Sequence, residues 1–112
     1  MAKNIDDAFV RRIQFWIEFL FPDETNRLEV WQKVFPSKTP LDKDVDFEFL
    51  ARQFQISGGH IKNIALRSAF LASAESEKVS MRHIIFATKR EFEKLGKPIT
   101  KSDFTKYYYL FL

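Results

Sequence analysis

The chain contains no cysteine, which excludes disulfides, thiolate metal sites and cysteine nucleophiles. Its two histidines, His60 and His83, are far apart in the sequence and do not predict a metal site. No apolar run approaches the roughly 18 residues that a membrane-spanning helix needs. The first seven residues also lack the pattern of a signal peptide. We therefore expect a cytoplasmic protein with no metal site and no contact with a membrane.

The sequence is rich in apolar and aromatic residues. Hydrophobic residues make up 46% of the 112 positions and aromatic residues 16%, including thirteen phenylalanines. This composition is too apolar for a disordered chain, and the 29% of charged residues is ordinary for a soluble one. The length is that of one small domain with one core.

Charge is distributed unevenly along the chain. Residues 1–77 contain ten basic and twelve acidic side chains, whereas residues 78–112 contain eight basic and three acidic ones. A basic tail could contact nucleic acid or an acidic partner. However, acidic residues interrupt the basic ones and no nucleic-acid-binding motif accompanies them. We therefore favour a solvated helix face and regard nucleic acid as an unlikely partner.

Helical periodicity covers most of the sequence. A short helix is predicted over residues 5–12, and longer ones follow from residue 23 onwards. We expect the later helices to begin at Asp23, Asp46, Ser80 and, for the last one, Thr100 or Ser102. We expect helix ends at Pro36 and Gly96, and a break between two helices at Gly58-Gly59. Phe54, Phe70 and Phe92 lie on the apolar stripes of three of these helices, so we expect them to share one core.

Residues 13–21 have a different pattern. They read Ile-Gln-Phe-Trp-Ile-Glu-Phe-Leu-Phe, are dense in β-branched and aromatic residues, and alternate in part. This pattern predicts one β-strand that ends at Pro22. Because one strand cannot form a sheet, we expect its partner strands to lie outside this chain.

Five short motifs occur one after another along the chain. They are Asp7-Ala8-Phe9-Val10-Arg11-Arg12, Ile17-Glu18-Phe19-Leu20-Phe21-Pro22-Asp23, Arg27-Leu28-Glu29-Val30-Trp31, Asp44-Val45-Asp46-Phe47 and Ile56-Ser57-Gly58-Gly59-His60-Ile61-Lys62-Asn63. Together they resemble the C-terminal part of an AAA+ ATPase module, over residues 4–97. The Gly-Gly variant is most similar to a bacterial subgroup of these ATPases.

The resemblance implies a fold and a division of the chain. Residues 1–21 would be a remnant of the α/β core, with its arginine-finger box and last strand. Residues 22–97 would form the helical lid domain, and residues 98–112 a C-terminal helical tail. The expected fold class is therefore mainly α: a four-helix lid-type bundle preceded by a short helix and one leftover strand.

The resemblance also implies functional residues. Arg11 and Arg12 occupy the positions of arginine fingers, which would act in trans on the γ-phosphate bound by a neighbouring subunit. The alternative is that they are exposed basic residues balancing nearby acids. Nucleotide-binding candidates are Gly58, Gly59, His60 and Lys62, where a glycine-rich turn opens a lid helix. Many family members place an arginine at or near His60, so histidine is a departure; the alternative is a helix-start turn with a surface histidine.

The catalytic half of such an ATPase is missing from the sequence. No Gly-x-x-x-x-Gly-Lys-Ser/Thr loop occurs, and Pro22 interrupts the one stretch that mimics an acidic magnesium box. ATP and Mg would be cofactors of the complete module, but we expect neither tight binding nor autonomous hydrolysis here. The expected partners are a second copy or the remaining AAA+ core, and an unknown protein substrate. The alternative function is a small helical adaptor for other proteins.

Overall fold

The structure, a computed structural model, describes residues 6–111. This part of the chain contains five α-helices and a C-terminal 3₁₀ segment: α1 (Asp7–Leu20), α2 (Glu24–Val34), α3 (Phe47–Gln53), α4 (Gly58–Ala74), α5 (Met81–Lys94) and the 3₁₀ segment Lys101–Leu110. An isolated parallel bridge joins Leu41 to Val79. The mainly α fold class is confirmed, because residues 6–111 contain no β-strand.

Side-chain caps begin the helices where the sequence predicts them. Asp23 accepts a hydrogen bond from the backbone N–H of Asn26 at 2.8 Å, and Asp46 accepts one from Phe49 at 3.0 Å. These carboxylates satisfy amide groups that have no partner within the helix and lie at its positive end. Helix α2 ends just before Pro36, which could not continue it.

Helices α2 to α5 and the 3₁₀ segment surround one core, and we call residues 22–111 the helical body. Helix α4 packs against both α2 and α5. Fully buried side chains from every element of the body meet in this core, among them Trp31, Leu50, Ile61, Ile64, Met81, Ile84 and Phe104. Each such side chain contributes roughly 1.5–3 kcal/mol through burial.

The 3₁₀ segment closes one side of the helical body. The ring of Phe104 lies 5.2 Å from the rings of both Phe54 and Phe111, and Tyr107 donates a hydrogen bond to a carboxylate oxygen of Asp46. Thr105, between these two anchors, has a φ of 44°. The predicted helical tail is therefore a kinked 3₁₀ segment, and of its two predicted caps, Thr100 and Ser102, the structure has Thr100.

The prediction of a strand over residues 13–21 is wrong. Helix α1 continues without a break through this region, and Asp6 accepts a hydrogen bond from the N–H of Ala8 at 3.1 Å to cap it. A strand without a neighbour would leave its backbone donors and acceptors unpaired, whereas a helix pairs them internally. The β-branched and aromatic composition is thus outweighed by backbone hydrogen bonding.

The predicted core is only partly right. Phe54 is buried and its ring lies 5.6 Å from that of the half-buried Phe92, but Phe70 is 70% exposed. Helix α4 buries a stripe that includes Ile61 and Ala65. Phe70 follows Ile61 by nine residues, which places it half a turn away on the opposite face of the helix.

Helix α1 differs from every other α-helix because none of its residues is buried. It contacts the helical body at α4. The radius of gyration is 16.2 Å, against about 13 Å for a compact domain of this length. We attribute the excess to α1, which extends from the body. No helix within residues 6–111 has the length and apolarity needed to cross a bilayer.

Candidate functional site

A cleft of about 650 Å³ opens beside the first turn of α4. It lies between the end of α1, the loop before α4 and the residues that follow α5. Its apolar walls include Phe54, Phe92 and Ile99, and its polar lining includes Arg27, His60, Lys97 and Asp103. Concave sites that combine apolar walls with a few polar groups are typical of small-molecule binding.

The glycine pair at the start of α4 accommodates α1. A Cβ atom placed on Gly58 would lie 2.9 Å from Cε2 of Phe19, which is closer than side chains tolerate. A Cβ on Gly59 would lie 3.9 Å from the same ring, an ordinary contact. Gly58 is therefore required for the close approach of Phe19, and Gly59 is not.

A buried carboxylate holds His60 at the cleft. Nδ1 of His60 lies 2.8 Å from Oε2 of Glu91, and Nδ2 of Asn63 donates to the same oxygen at 3.1 Å. Nζ of Lys94 lies 3.3 Å from the other carboxylate oxygen, which it reaches as an ion pair. Glu91 is fully buried, so this hydrogen-bonded cluster is part of the packed interior and not a chance surface contact.

The charge state of Glu91 decides the tautomer of His60. Burial alone raises the pKa of Glu91, but the bonds from His60, Asn63 and Lys94 outweigh it, so the pKa lies below the ordinary value of 4.5. The carboxylate is then ionised at neutral pH and can only accept hydrogen bonds. Nδ1 of His60 must carry the proton, and Nε2 is left for a ligand.

Arg27 places a second buried charge beside the cleft. Its side chain is only 6% exposed, and it donates to the carbonyl oxygens of Ala51 and Pro22, each at 2.7 Å. Within residues 6–111, no carboxylate forms an ion pair with it. The carbonyls orient the guanidinium without neutralising it, so the cleft has a net positive wall.

Of the predicted nucleotide-binding residues, the cleft lining includes His60. Gly58 and Gly59 precede it at the start of α4 but face the ring of Phe19 and are not part of that lining. Lys62 is exposed and outside the cleft lining, where Lys97 lies instead.

Arg11 and Arg12 are not part of the cleft. Both are exposed on α1. Arg12 precedes Phe19, which contacts the glycine pair, by seven residues, or about 10 Å along the helix.

Sequence reasoning missed Glu91 and gave Arg27 no site role. A signal for Glu91 was present, because it follows Ile84 and Thr88 at helical spacing on the buried face of α5. A charged residue at a position of this kind is almost always paired. No comparable signal marked Arg27, because its partners are backbone carbonyls that sequence patterns do not identify.

A second polar cluster lies at the start of α5. Glu75, Glu77 and His83 place oxygen and nitrogen atoms within 4.8 Å of one another, a spacing that a metal could use. However, Nη2 of Arg82 lies 2.8 Å from an oxygen of each glutamate. Nδ1 of His83 accepts from the N–H of Ser80, so Nε2 carries the proton and donates to Glu75 at 2.7 Å. We interpret this cluster as an ion-pair network centred on Arg82.

No protein-family model matches the sequence, and no solved structure matches the fold. Any functional assignment therefore depends on the sequence motifs and on the chemistry of the cleft.

Proposed function

We propose that this chain is the C-terminal portion of an AAA+ ATPase of the bacterial subgroup, acting in the cytoplasm as a nucleotide-facing lid. Helices α2 to α5 would be the four helices of the lid. Residues 1–21 would adjoin the rest of the core, and the complete module would supply the phosphate loop and magnesium site. The chain alone would not hydrolyse ATP, because it lacks the loop that positions the phosphates.

The single observation that supports this proposal best is His60 at the cleft, fixed by the buried Glu91. The Nε2 atom is left for a ligand at the start of α4, where the helix N-terminus favours anions. Neutral His60 would accept a hydrogen bond from a ligand hydroxyl, and protonated His60 would donate one to a phosphate.

Two further charges support an anionic ligand. Arg27 and Lys97 line the same cleft, and Arg27 has no carboxylate partner among the described residues. Asp103 also lines it and keeps its negative charge, so the cleft lining carries two basic side chains against one carboxylate. The volume of about 650 Å³ lies within the 300–1,000 Å³ usual for small-molecule sites.

In this proposal Arg11 and Arg12 act elsewhere. Both are exposed on α1 and lie away from the cleft of their own chain. They would face the γ-phosphate bound by a neighbouring subunit, where a guanidinium stabilises the charge that develops during phosphoryl transfer.

Nucleotide titration followed by amide NMR tests the proposal. We expect millimolar Mg-ATP to shift the amide signals of Gly58, Gly59 and His60 while the rest of the body is unaffected. His60→Ala should weaken this response several-fold. Lys62→Ala is the matched control, because Lys62 lies on the same helix outside the cleft. Shifts spread over the basic surface, or an equal effect of both variants, would contradict the proposal.

A second candidate function is a helical protein-interaction module. The exposed apolar side chains of α1 favour it, because apolar patches of this kind mark interaction sites. The two candidates differ in one measurement: an adaptor has no reason to bind nucleotide at the cleft, and its binding to a partner would survive His60→Ala.

A further inference from the structure

The outer face of α1 has the pattern of a helix-pairing seam. Four large apolar residues recur at intervals of four, three and four, and two further ones border them on one side. The seam residues are Phe9, Ile13, Trp16 and Leu20, and the bordering residues are Val10 and Ile17. Each of these six side chains is between 38% and 56% exposed. This spacing is that of the a and d positions in paired helices.

Helix α1 needs a partner along this face. A 14-residue helix is marginal in water on its own. Its contact with the helical body includes Phe19, which faces the glycine pair of α4, and its end at Leu20 borders the cleft. Phe19 lies outside the seam and Leu20 is the last seam residue, so attachment to the body leaves most of the seam exposed.

We propose that, in the isolated chain, a second copy covers the seam, through antiparallel pairing of two α1 helices about a two-fold axis. Antiparallel pairing opposes Phe9 to the partner copy's Leu20 position, and Ile13 to its Trp16 position. It also places the two helical bodies at opposite ends of the pair, whereas parallel pairing would crowd both bodies at one end.

The exposed area suits a weak dimer. The six side chains together offer roughly 600 Å² per copy, or about 1,200 Å² in total, which is the lower end of the range for specific interfaces. We therefore expect dissociation constants in the micromolar range.

The charges of α1 disfavour a lipid surface as the partner. Arg11 and Arg12 are balanced within the helix by Asp7 and Glu18. Helices that bind anionic membranes carry an excess of basic residues on their polar face.

Sedimentation equilibrium of the whole chain tests the proposal. We expect a reversible dimer at tens of micromolar, and at least tenfold weaker association for the double variant Ile13→Glu, Ile17→Glu. The matched control is Leu66→Glu, Phe70→Glu, which changes two apolar residues on α4 that are 58% and 70% exposed. A monomer at a hundred micromolar, or equal effects of both double variants, would overturn the proposal. Binding of a monomer to vesicles of anionic phospholipid would also overturn it.

Cysteine crosslinking tests the direction of pairing, because the native chain has no cysteine that would interfere. A mixture of the Phe9→Cys and Leu20→Cys variants should form the mixed disulfide faster than either variant forms a disulfide with itself. Leu66→Cys, on α4, is the control that measures how fast a disulfide forms through random collision. Dominant homodisulfides in the first two variants would rule out the antiparallel arrangement. Far-UV circular dichroism of each variant checks that the helical body remains folded.

Discussion

Helix α1 and the helical body differ in what their apolar side chains pack against. Both consist of capped helices with long apolar stripes, yet the body buries its stripes within the chain while α1 leaves its own in water. A cap and internal hydrogen bonds therefore specify that a segment is helical, but they do not specify what the helix packs against. The difference between the regions lies in tertiary contacts, and each can be perturbed separately.

The largest effect is expected from the core of the body. Phe54→Ala should lower the free energy of unfolding by about 3–5 kcal/mol, because the ring packs against Phe92 and Phe104 and its loss leaves a cavity. Phe70→Ala, at an exposed position, should change it by less than about 0.5 kcal/mol. Urea denaturation of both variants provides the measurement. Equal losses would contradict the burial assigned to the two rings.

The next effect concerns the buried carboxylate. Glu91→Gln should cost about 1–3 kcal/mol, because His60 and Lys94 lose the charge they face. Folding lowers the pKa of Glu91, so its stabilising contribution is complete above the unfolded value near 4.5 and is lost as the pH falls through the folded value. Urea denaturation at a series of pH values below 5 should therefore show a smaller acid-induced loss in Glu91→Gln than in the parent chain. An identical pH dependence would exclude this role for Glu91.

Helix caps offer a direct test of the two regions. Asp23→Ala removes the cap of α2 and should destabilise the body by about 1 kcal/mol. Asp6→Ala removes the corresponding cap of α1 and should lower helical content without shifting the unfolding of the body. Circular dichroism and the fluorescence of the body during urea denaturation distinguish the outcomes. If both substitutions shift the body equally, α1 is part of the same cooperative unit.

A smaller effect is expected where α1 meets α4. Gly58→Ala should push Phe19 away and loosen α1, whereas Gly59→Ala should not, since a Cβ there makes only an ordinary contact. Trypsin should then cleave after Arg11 and Arg12 several-fold faster in Gly58→Ala than in Gly59→Ala. Equal cleavage rates would show that Phe19 does not anchor the helix.

The smallest effect involves the surface network of α5. Hydrogen bonds from Arg82 and His83 lower the pKa of Glu75 to about 2. The stabilisation is therefore complete above pH 4.5 and is lost between pH 4.5 and 2. Arg82→Met should return the pKa of Glu75 towards 4.5 and so reduce the acid-induced loss of stability between pH 4.5 and 2. A side-chain NMR titration of Glu75 measures the shift directly, and a pKa that stays near 2 would contradict the assignment.

Local chemistry was predictable from the sequence, and the consequences of burial were less so. The sequence predicted the caps at Asp23, Asp46 and Ser80 because a cap depends on residues three or four positions apart. It predicted the stop at Pro36 because proline cannot continue a helix. The strand over residues 13–21 was mispredicted because its composition favours a sheet that the described residues do not provide.

In the candidate site, too, local features were predictable from the sequence and long-range contacts were not. His60 could be assigned to the start of a helix because the glycine pair marks that position. Its partner Glu91 lies 31 residues away on another helix, so their pairing depends on how α4 and α5 pack. The same packing brings Lys97 into the cleft instead of the predicted Lys62.

The two tryptophans divide between the two regions. Trp31 is completely buried in the helical body, whereas Trp16 is 56% exposed on α1. Indole emission shifts to longer wavelengths in water, so one molecule contains a blue-emitting and a red-emitting reporter, and a quencher in solution reaches only the second. Replacing Trp16 with phenylalanine isolates the signal of the body, and replacing Trp31 isolates that of α1. Folding of the body and covering of α1 can thus be followed as separate optical events.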